Sequence, residues 1–148
     1  PGGQFISDGK TVSKDFSRLN TYETTEKGSD VAIIGLGGFY HLGKEVAALL
    51  KENTGINATI VNPYYITGLD ENTLNGIKEN HKVVITLEDG FLDGGFGQKI
   101  AGFYGNTDMK VLNYGIKTEF LDRYNLEKVL KDNHLTPKQI VEDIKEIL

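Results

Sequence analysis

Apolar residues along the chain fall into two kinds of run. Short unbroken stretches occur at 31–36 (VAIIGL), 58–61 (ATIV), 82–87 (KVVITL) and 110–113 (KVLN). Runs of this length without polar alternation predict strands buried on both faces. Asn62-Pro63 ends the second of them, because proline has no amide to donate to a central ladder. The segment 20–26 (NTYETTE) is rich in β-formers but polar apart from Tyr22, which predicts an exposed edge strand. Between these runs the apolar period changes to that of a helix. Val46, Leu49 and Leu50 lie opposite Lys44, Glu45, Lys51 and Glu52, predicting a helix over 42–53 with Gly55 as its C-terminal cap. Asp70 is an N-cap for a short helix through Leu74 and Ile77. Helices are also expected over 96–104, with Ile100 and Phe103 inward, and over 126–131, with Leu126, Val129 and Leu130 inward. The last helix is the most fully marked. Thr136 caps it, Pro137 suits its first position, Gln139 completes a capping box, and Ile140, Ile144 and Ile147 form its apolar stripe, widened by Val141 and Leu148.

Strands separated by helical segments imply βαβ units and a mainly parallel sheet. Right-handed crossovers then place helices on both faces. The predicted fold is an α/β, three-layer α/β/α sandwich. Residues 1–19 are broken by Gly2, Gly3, Ser7, Asp8, Gly9 and Ser13 and are expected to be a linker, leaving 20–148 as one domain.

The stretch 82–100 concentrates the candidate chemistry. A buried strand runs into Glu88 and Asp89, where it is expected to leave the sheet, then into Gly94-Gly95-Phe96-Gly97 and a helix start. Ligands of open α/β sheets collect at the carboxyl ends of strands. Two readings of this turn stand side by side. Glu88, Gly94, Gly95, Phe96 and Gly97 could face an anion or a neighbouring domain, using the glycine amides and the helix N-terminus. Alternatively the glycines only let the helix pack close to the sheet. Glu88 and Asp89, adjacent on a strand, point to opposite faces, which argues against a proton shared between them. Glu88 could instead accept backbone N–H groups, pair with a base in a partner domain, or sit on a solvated edge.

Other chemistry is thin. Gly35-Leu36-Gly37-Gly38 invites a dinucleotide fingerprint, but Tyr40 stands at the third glycine and Asn62 where an acid belongs. His41, on an expected βα loop, is the histidine worth testing as a ligand contact. His81 and His134 precede a strand and a helix and read as surface loop residues, with no metal-ligand spacing. Tyr64-Tyr65 reads as loop packing before it reads as a binding platform. No catalytic triad can be assembled. The chain has 148 residues and a net charge of −5, which argues against a duplex-binding surface. Cysteine is absent, so disulfides and thiolate metal sites are excluded. No apolar run reaches the length of a membrane helix and no signal peptide is visible. The first residue is Pro1, and the chain is expected to be a piece of something longer.

These segments, taken in order, carry a family likeness. TLEDGFLDGGFG, with Thr86, Glu88 and Gly94 to Gly97, resembles the C-terminal domain of the thiamine-diphosphate enzymes of the transketolase group, most of all 1-deoxy-D-xylulose-5-phosphate synthase. VAIIGLGG resembles the family's opening strand and glycine turn, and ATIVNPYYITGLD its second strand and next helix start. VLNYGIKTEFLD resembles its last strand and exit loop, and HLTPKQIVEDI its terminal helix. Gly68, Tyr64-Tyr65 and Arg123-Tyr124 depart from the family's usual proline, arginine and His-Gly. The resemblance implies a five-stranded mixed sheet whose first strand is antiparallel at the edge. It also implies that thiamine diphosphate and magnesium are held by the preceding domains of a cytoplasmic homodimer, with no catalytic or cofactor-binding residue in this chain. A transketolase domain or split subunit, or a free-standing module that binds a partner or anion, are the alternatives.

Overall fold

A computed structural model gives the structure of the chain, and residues 19–64, 67–117 and 126–148 are described. Its elements follow in the order β1 (Glu23–Glu26), β2 (Asp30–Gly35), α1 (Phe39–Thr54), β3 (Thr59–Asn62), α2 (Glu71–Asn80), β4 (His81–Phe91), α3 (Phe96–Tyr104), β5 (Lys110–Ile116), α4 (Leu126–Asp132) and α5 (Pro137–Ile147). The strands form one five-stranded sheet ordered β1-β3-β2-β4-β5. β3, β2, β4 and β5 are parallel, and β1 pairs antiparallel with β3 at the edge. This is the α/β sandwich that the alternating runs predict.

The middles of the central strands are apolar because neither of their faces meets water there. Val31 and Ile33 of β2 and Val83, Ile85 and Leu87 of β4 face Val46, Ala47 and Leu50 of α1 and Ile140, Val141 and Ile144 of α5. Their alternate neighbours Ala32, Ile34 and Val84 face Leu74 and Ile77 of α2 and Phe96, Ile100 and Tyr104 of α3. Each strand face thus reads one helical layer, as the two-residue period requires. α5 has the capping box seen in its sequence, with Thr136 and Gln139 bonded reciprocally. Tyr114 Oη of β5 donates to Asp143 Oδ2 of that helix at 2.7 Å.

Four boundaries differ from the sequence reading. α1 begins at Phe39 and not at 42, because the amides of Phe39 and Tyr40 turn back to Leu36 O and Gly37 O, each at 3.1 Å. His41 is therefore in the first helical turn and not on a loop. β4 does not end at its acids but continues through Glu88 and Asp89 to Phe91, with irregular register between Leu87 and Phe91. β5 runs to Ile116, beyond the predicted 113. β1 starts at Glu23: Asn20 turns at a φ of 65° and the Tyr22 amide donates to Asp70 Oδ2 at 2.8 Å, away from the β3 ladder. Tyr22 itself is core, 5% exposed, and not an isolated edge residue. The expected linker other than Leu19, Tyr65, and the Arg123-Tyr124 departure lie outside the described residues.

Candidate functional site

The sheet order places the site. From β2 the chain moves through α1 to β3 on one side, and from β4 through α3 to β5 on the other. α1 and α3 lie on opposite faces. The strand order therefore reverses between β2 and β4, and the crevice outside their carboxyl ends is where such sheets bind ligands or neighbours. Two glycine turns flank it, Gly37-Gly38 before α1 and Gly94-Gly95 before α3.

On the α3 side, Thr86 and Glu88 of β4 share the face of Val84. Neither could be buried there without a local answer to its polarity. Thr86 Oγ1 donates to Asn113 Oδ1 at 2.7 Å across the β4–β5 pair. Glu88, 3% exposed, accepts the Phe96 amide on Oε2 at 2.8 Å. Its carboxylate thereby caps α3 from the neighbouring strand, since the N-cap residue Gly95 has no side chain to do so. Two glycines make room for these groups. A Cβ on Gly97 would lie 2.5 Å from Thr86 Oγ1 and 2.8 Å from Asn113 Oδ1. A Cβ on Gly115 would lie 3.1 Å from Glu88 Cγ and 2.9 Å from Leu92 Cδ2. The turn closes on itself: Gly95 N–H donates to Leu92 O at 3.1 Å, and Gly94, at a φ of 71°, donates its amide to Gln98 Oε1 at 2.9 Å.

Glu88 is not fully satisfied. Among the described residues its Oε1 is the buried side-chain oxygen that has no hydrogen-bond partner. Burial pushes the carboxyl above the ordinary glutamate range, the amides of Phe96 and Gly97 pull it back, and the Asp89 charge adds to the rise. Asp89 is on the other face, with Oδ2 3.5 Å from the Cβ position of Gly37. The two acids are separated by the strand between them, as their alternation requires.

The six candidate residues are thus not one exposed set. Glu88, Phe96 and Gly97 are buried inside the domain, and the Phe96 ring stands edge-on to Tyr22 with centroids 6.1 Å apart. Gly94 is exposed and Gly95 half-buried, so they are the part of the turn that faces outward. His41 is half-buried beside Tyr40 on α1, across the sheet from Glu88. Of the other histidines, His134 is the exposed turn residue expected, and His81 is more engaged than a loop residue. His81 opens β4 and bonds Ile77 O and Thr59 Oγ1, each at 2.8 Å, and His134 pairs with Asp143 at 3.2 Å. Tyr64 is exposed and bonds Glu23. Gly35 serves packing, since a Cβ there would come within 2.7 Å of Tyr40 Cα. The sequence reading missed Asn113 and Gly115. The signal was a polar and a glycine position two apart on β5, matching Thr86 and Glu88 two apart on β4.

A protein-family model for the transketolase C-terminal domain matches residues 21–140. The chain belongs to the transketolase C-terminal domain family. The 1-deoxy-D-xylulose-5-phosphate synthase of Prochlorococcus marinus is 33% identical over 83% of this chain. That of Alkaliphilus oremlandii is 33% identical over 82% of it. The chain spans only 20% of the length of these relatives. Among solved structures, an inactive β4 tetramer of a split-gene transketolase superposes with a TM-score of 0.77 at 24% identity, covering 88% of this chain and 43% of that one. This last likeness supports the fold.

A thiamine diphosphate site does not fit the described residues of this family member. Among them no three His, Asp or Glu side chains cluster to hold a metal ion. The N-terminus of α3, the natural seat for a diphosphate, already holds the Glu88 carboxylate, whose charge would repel one. No helix among the described residues is long and apolar enough to cross a membrane.

Proposed function

We propose that the chain is the C-terminal domain of a 1-deoxy-D-xylulose-5-phosphate synthase and that it supports the enzyme without performing its chemistry. The whole enzyme joins a two-carbon unit from pyruvate to glyceraldehyde 3-phosphate. Its thiamine diphosphate and magnesium sit in the other domains of a cytoplasmic homodimer. The observation that carries this reading is the match to named synthases at 33% identity over most of the chain but a fifth of their length. The site geometry agrees, because its polar groups are spent on seating α3 while Gly94 and Gly95 face outward. In this reading the turn meets a neighbouring domain and not a free anion, since the carboxylate already takes the Phe96 amide.

The test is the full-length polypeptide that contains this chain, purified and supplied with pyruvate and glyceraldehyde 3-phosphate. Carbon dioxide release that depends on the aldehyde is the expected result. Two-carbon transfer between sugar phosphates without pyruvate consumption would favour a transketolase, the reading that the split-gene transketolase structure keeps alive. Synthase turnover by the 148-residue chain alone would contradict the supporting role.

A further inference from the structure

The Glu88 carboxylate has one oxygen in use and one without a partner, and it sits where a helix begins. Oε2 accepts the Phe96 amide at 2.8 Å, while Oε1 is buried with no donor. An ionised carboxylate in that position makes a charge-assisted bond to the first turn of α3, stronger than a neutral acid would make. The same anion leaves Oε1 desolvated and unpaired, which favours taking up a proton there. Helix seating and proton affinity therefore oppose each other at a single side chain.

We propose that the glycine turn before α3 is a proton-linked latch operated by Glu88. Neutral Glu88 leaves no charge on the buried Oε1, and Gly94 and Gly95 stay in place. Loss of the proton from Oε1 leaves a buried, unpaired charge that outweighs the stronger bond to the Phe96 amide, and the turn opens to let water solvate it. The balance is a transfer of one proton between solvent and Oε1, with no other covalent change.

The surroundings leave this titration to a few groups. On β4, Asp89 is the neighbouring charge and raises the affinity for the proton. β5 contributes Asn113 and Gly115, both uncharged, and α3 contributes the amides of Phe96 and Gly97. Asp93 and Lys99, the charged residues of the turn and of α3, are both exposed to solvent. No described cation pairs with Glu88, so no described charge holds it as a permanent anion. The latch is a property of this chain alone and does not depend on which reaction the parent enzyme catalyses.

The experiment follows the Glu88 carboxyl carbon and the Phe96 amide by NMR in the isotope-labelled chain, from acid to neutral pH. Amide exchange is corrected for its intrinsic pH dependence. The expected result is a single midpoint above the ordinary glutamate range in the carboxyl signal. Phe96 protection should fall on the alkaline side of that same midpoint, about tenfold for each pH unit by which the midpoint lies above the ordinary glutamate range. Glu88→Gln should remove the step. If that variant does not fold, Asp89→Asn should move both midpoints down together, since it removes the charge that raises them. Overturning results are a Glu88 midpoint in the ordinary range, Phe96 protection that ignores the titration or falls on its acid side, or a step that survives Glu88→Gln.

Discussion

Thr86 Oγ1 and Asn113 Oδ1 are bonded at 2.7 Å directly beneath Gly97, so the first turn of α3 rests on a polar pair and not on an apolar one. A methyl at Gly97 has nowhere to go, with its carbon 2.5 Å from Thr86 Oγ1. Gly97→Ala is expected to cost about 1–3 kcal/mol, the usual range for overpacking. The cost should be smaller in a Thr86→Ala background, because the nearer of the two obstacles is gone. Denaturant unfolding of the four chains of this cycle gives the coupling directly. Equal costs in both backgrounds would show that the helix shifts as a body and that the contact does not set its height.

At the opposite end of the sheet, His81 joins three elements. Gly28 N–H donates to Thr59 Oγ1 at 2.9 Å, Thr59 Oγ1 meets His81 Nε2 at 2.8 Å, and His81 Nδ1 meets Ile77 O at 2.8 Å. A carbonyl only accepts, so Nδ1 carries the hydrogen and Nε2 is the acceptor for the threonine hydroxyl. Nitrogen NMR of neutral His81 should therefore show the Nδ1–H tautomer, the minor form of a free imidazole. Thr59→Val leaves both the Gly28 amide and His81 Nε2 without a partner, at an expected cost of about 1–3 kcal/mol. An Nε2–H tautomer would mean that the chain of donors runs the other way and that Ile77 O is not its end.

These two sites mark what the sequence could and could not disclose. Strands, helices and layers were legible because burial on both faces leaves an unbroken apolar run, and a helix face leaves a period. Glu88 was visible as a candidate because an acid at the end of such a run is out of place. Its continued pairing to Phe91 was not visible, because acids ordinarily terminate strands and the irregular β4 register that accommodates them has no local signature. His81 was misread for the same reason: its partners Thr59 and Ile77 lie in other elements, and contacts across elements leave no period. The role of Gly97 needed the distance to Thr86, whereas the role of Gly55 as a helix cap, at a φ of 78°, followed from its place in the chain.

Acid stability should divide between two buried carboxyls of opposite sign. Burial raises the Asp70 carboxyl, but bonds from the Tyr22 amide and from the Thr73 hydroxyl and amide outweigh it, leaving the group below its ordinary value of 3.8. Its contribution is present above that value and lost as pH falls through the lower, folded one. Glu88 is raised above 4.5, so its contribution is present below that value and lost as pH rises through the folded one. Asp70→Asn should therefore flatten the acid limb and cost about 1–3 kcal/mol at neutral pH, where cap and amide bonds are lost. Any advantage of the native chain over Glu88→Gln should shrink as pH rises. Unfolding curves at a series of pH values measure both, and a native advantage over Glu88→Gln that grows toward neutral pH would show that the helix charge outweighs burial.

At alkaline pH the limit should come from buried phenols. The chain has seven tyrosines. Burial pushes Tyr22 up to about 12, with the Asp70 backbone amide drawing it down and the Asp70 charge adding to the rise. Burial carries Tyr104 higher still, and Tyr114 higher again with help from its bond to Asp143. A raised folded value means that the neutral phenol is favoured in the native state. The stability contributed by Tyr22 is therefore complete below its ordinary value of 10 and is lost as pH rises through about 12. Titrating phenolate absorbance upward from neutral pH should leave Tyr22, Tyr104 and Tyr114 silent until the chain unfolds, when they ionise together in one step. Tyr22→Phe forfeits the bond from Tyr22 Oη to Gly68 O, 3.2 Å long, for about 1 kcal/mol at neutral pH. In return it should move the alkaline unfolding midpoint upward. A downward move, or a smooth titration of all the phenols in the folded chain, would mean that water reaches the face between β1 and α3 on which Tyr22 and Phe96 pack.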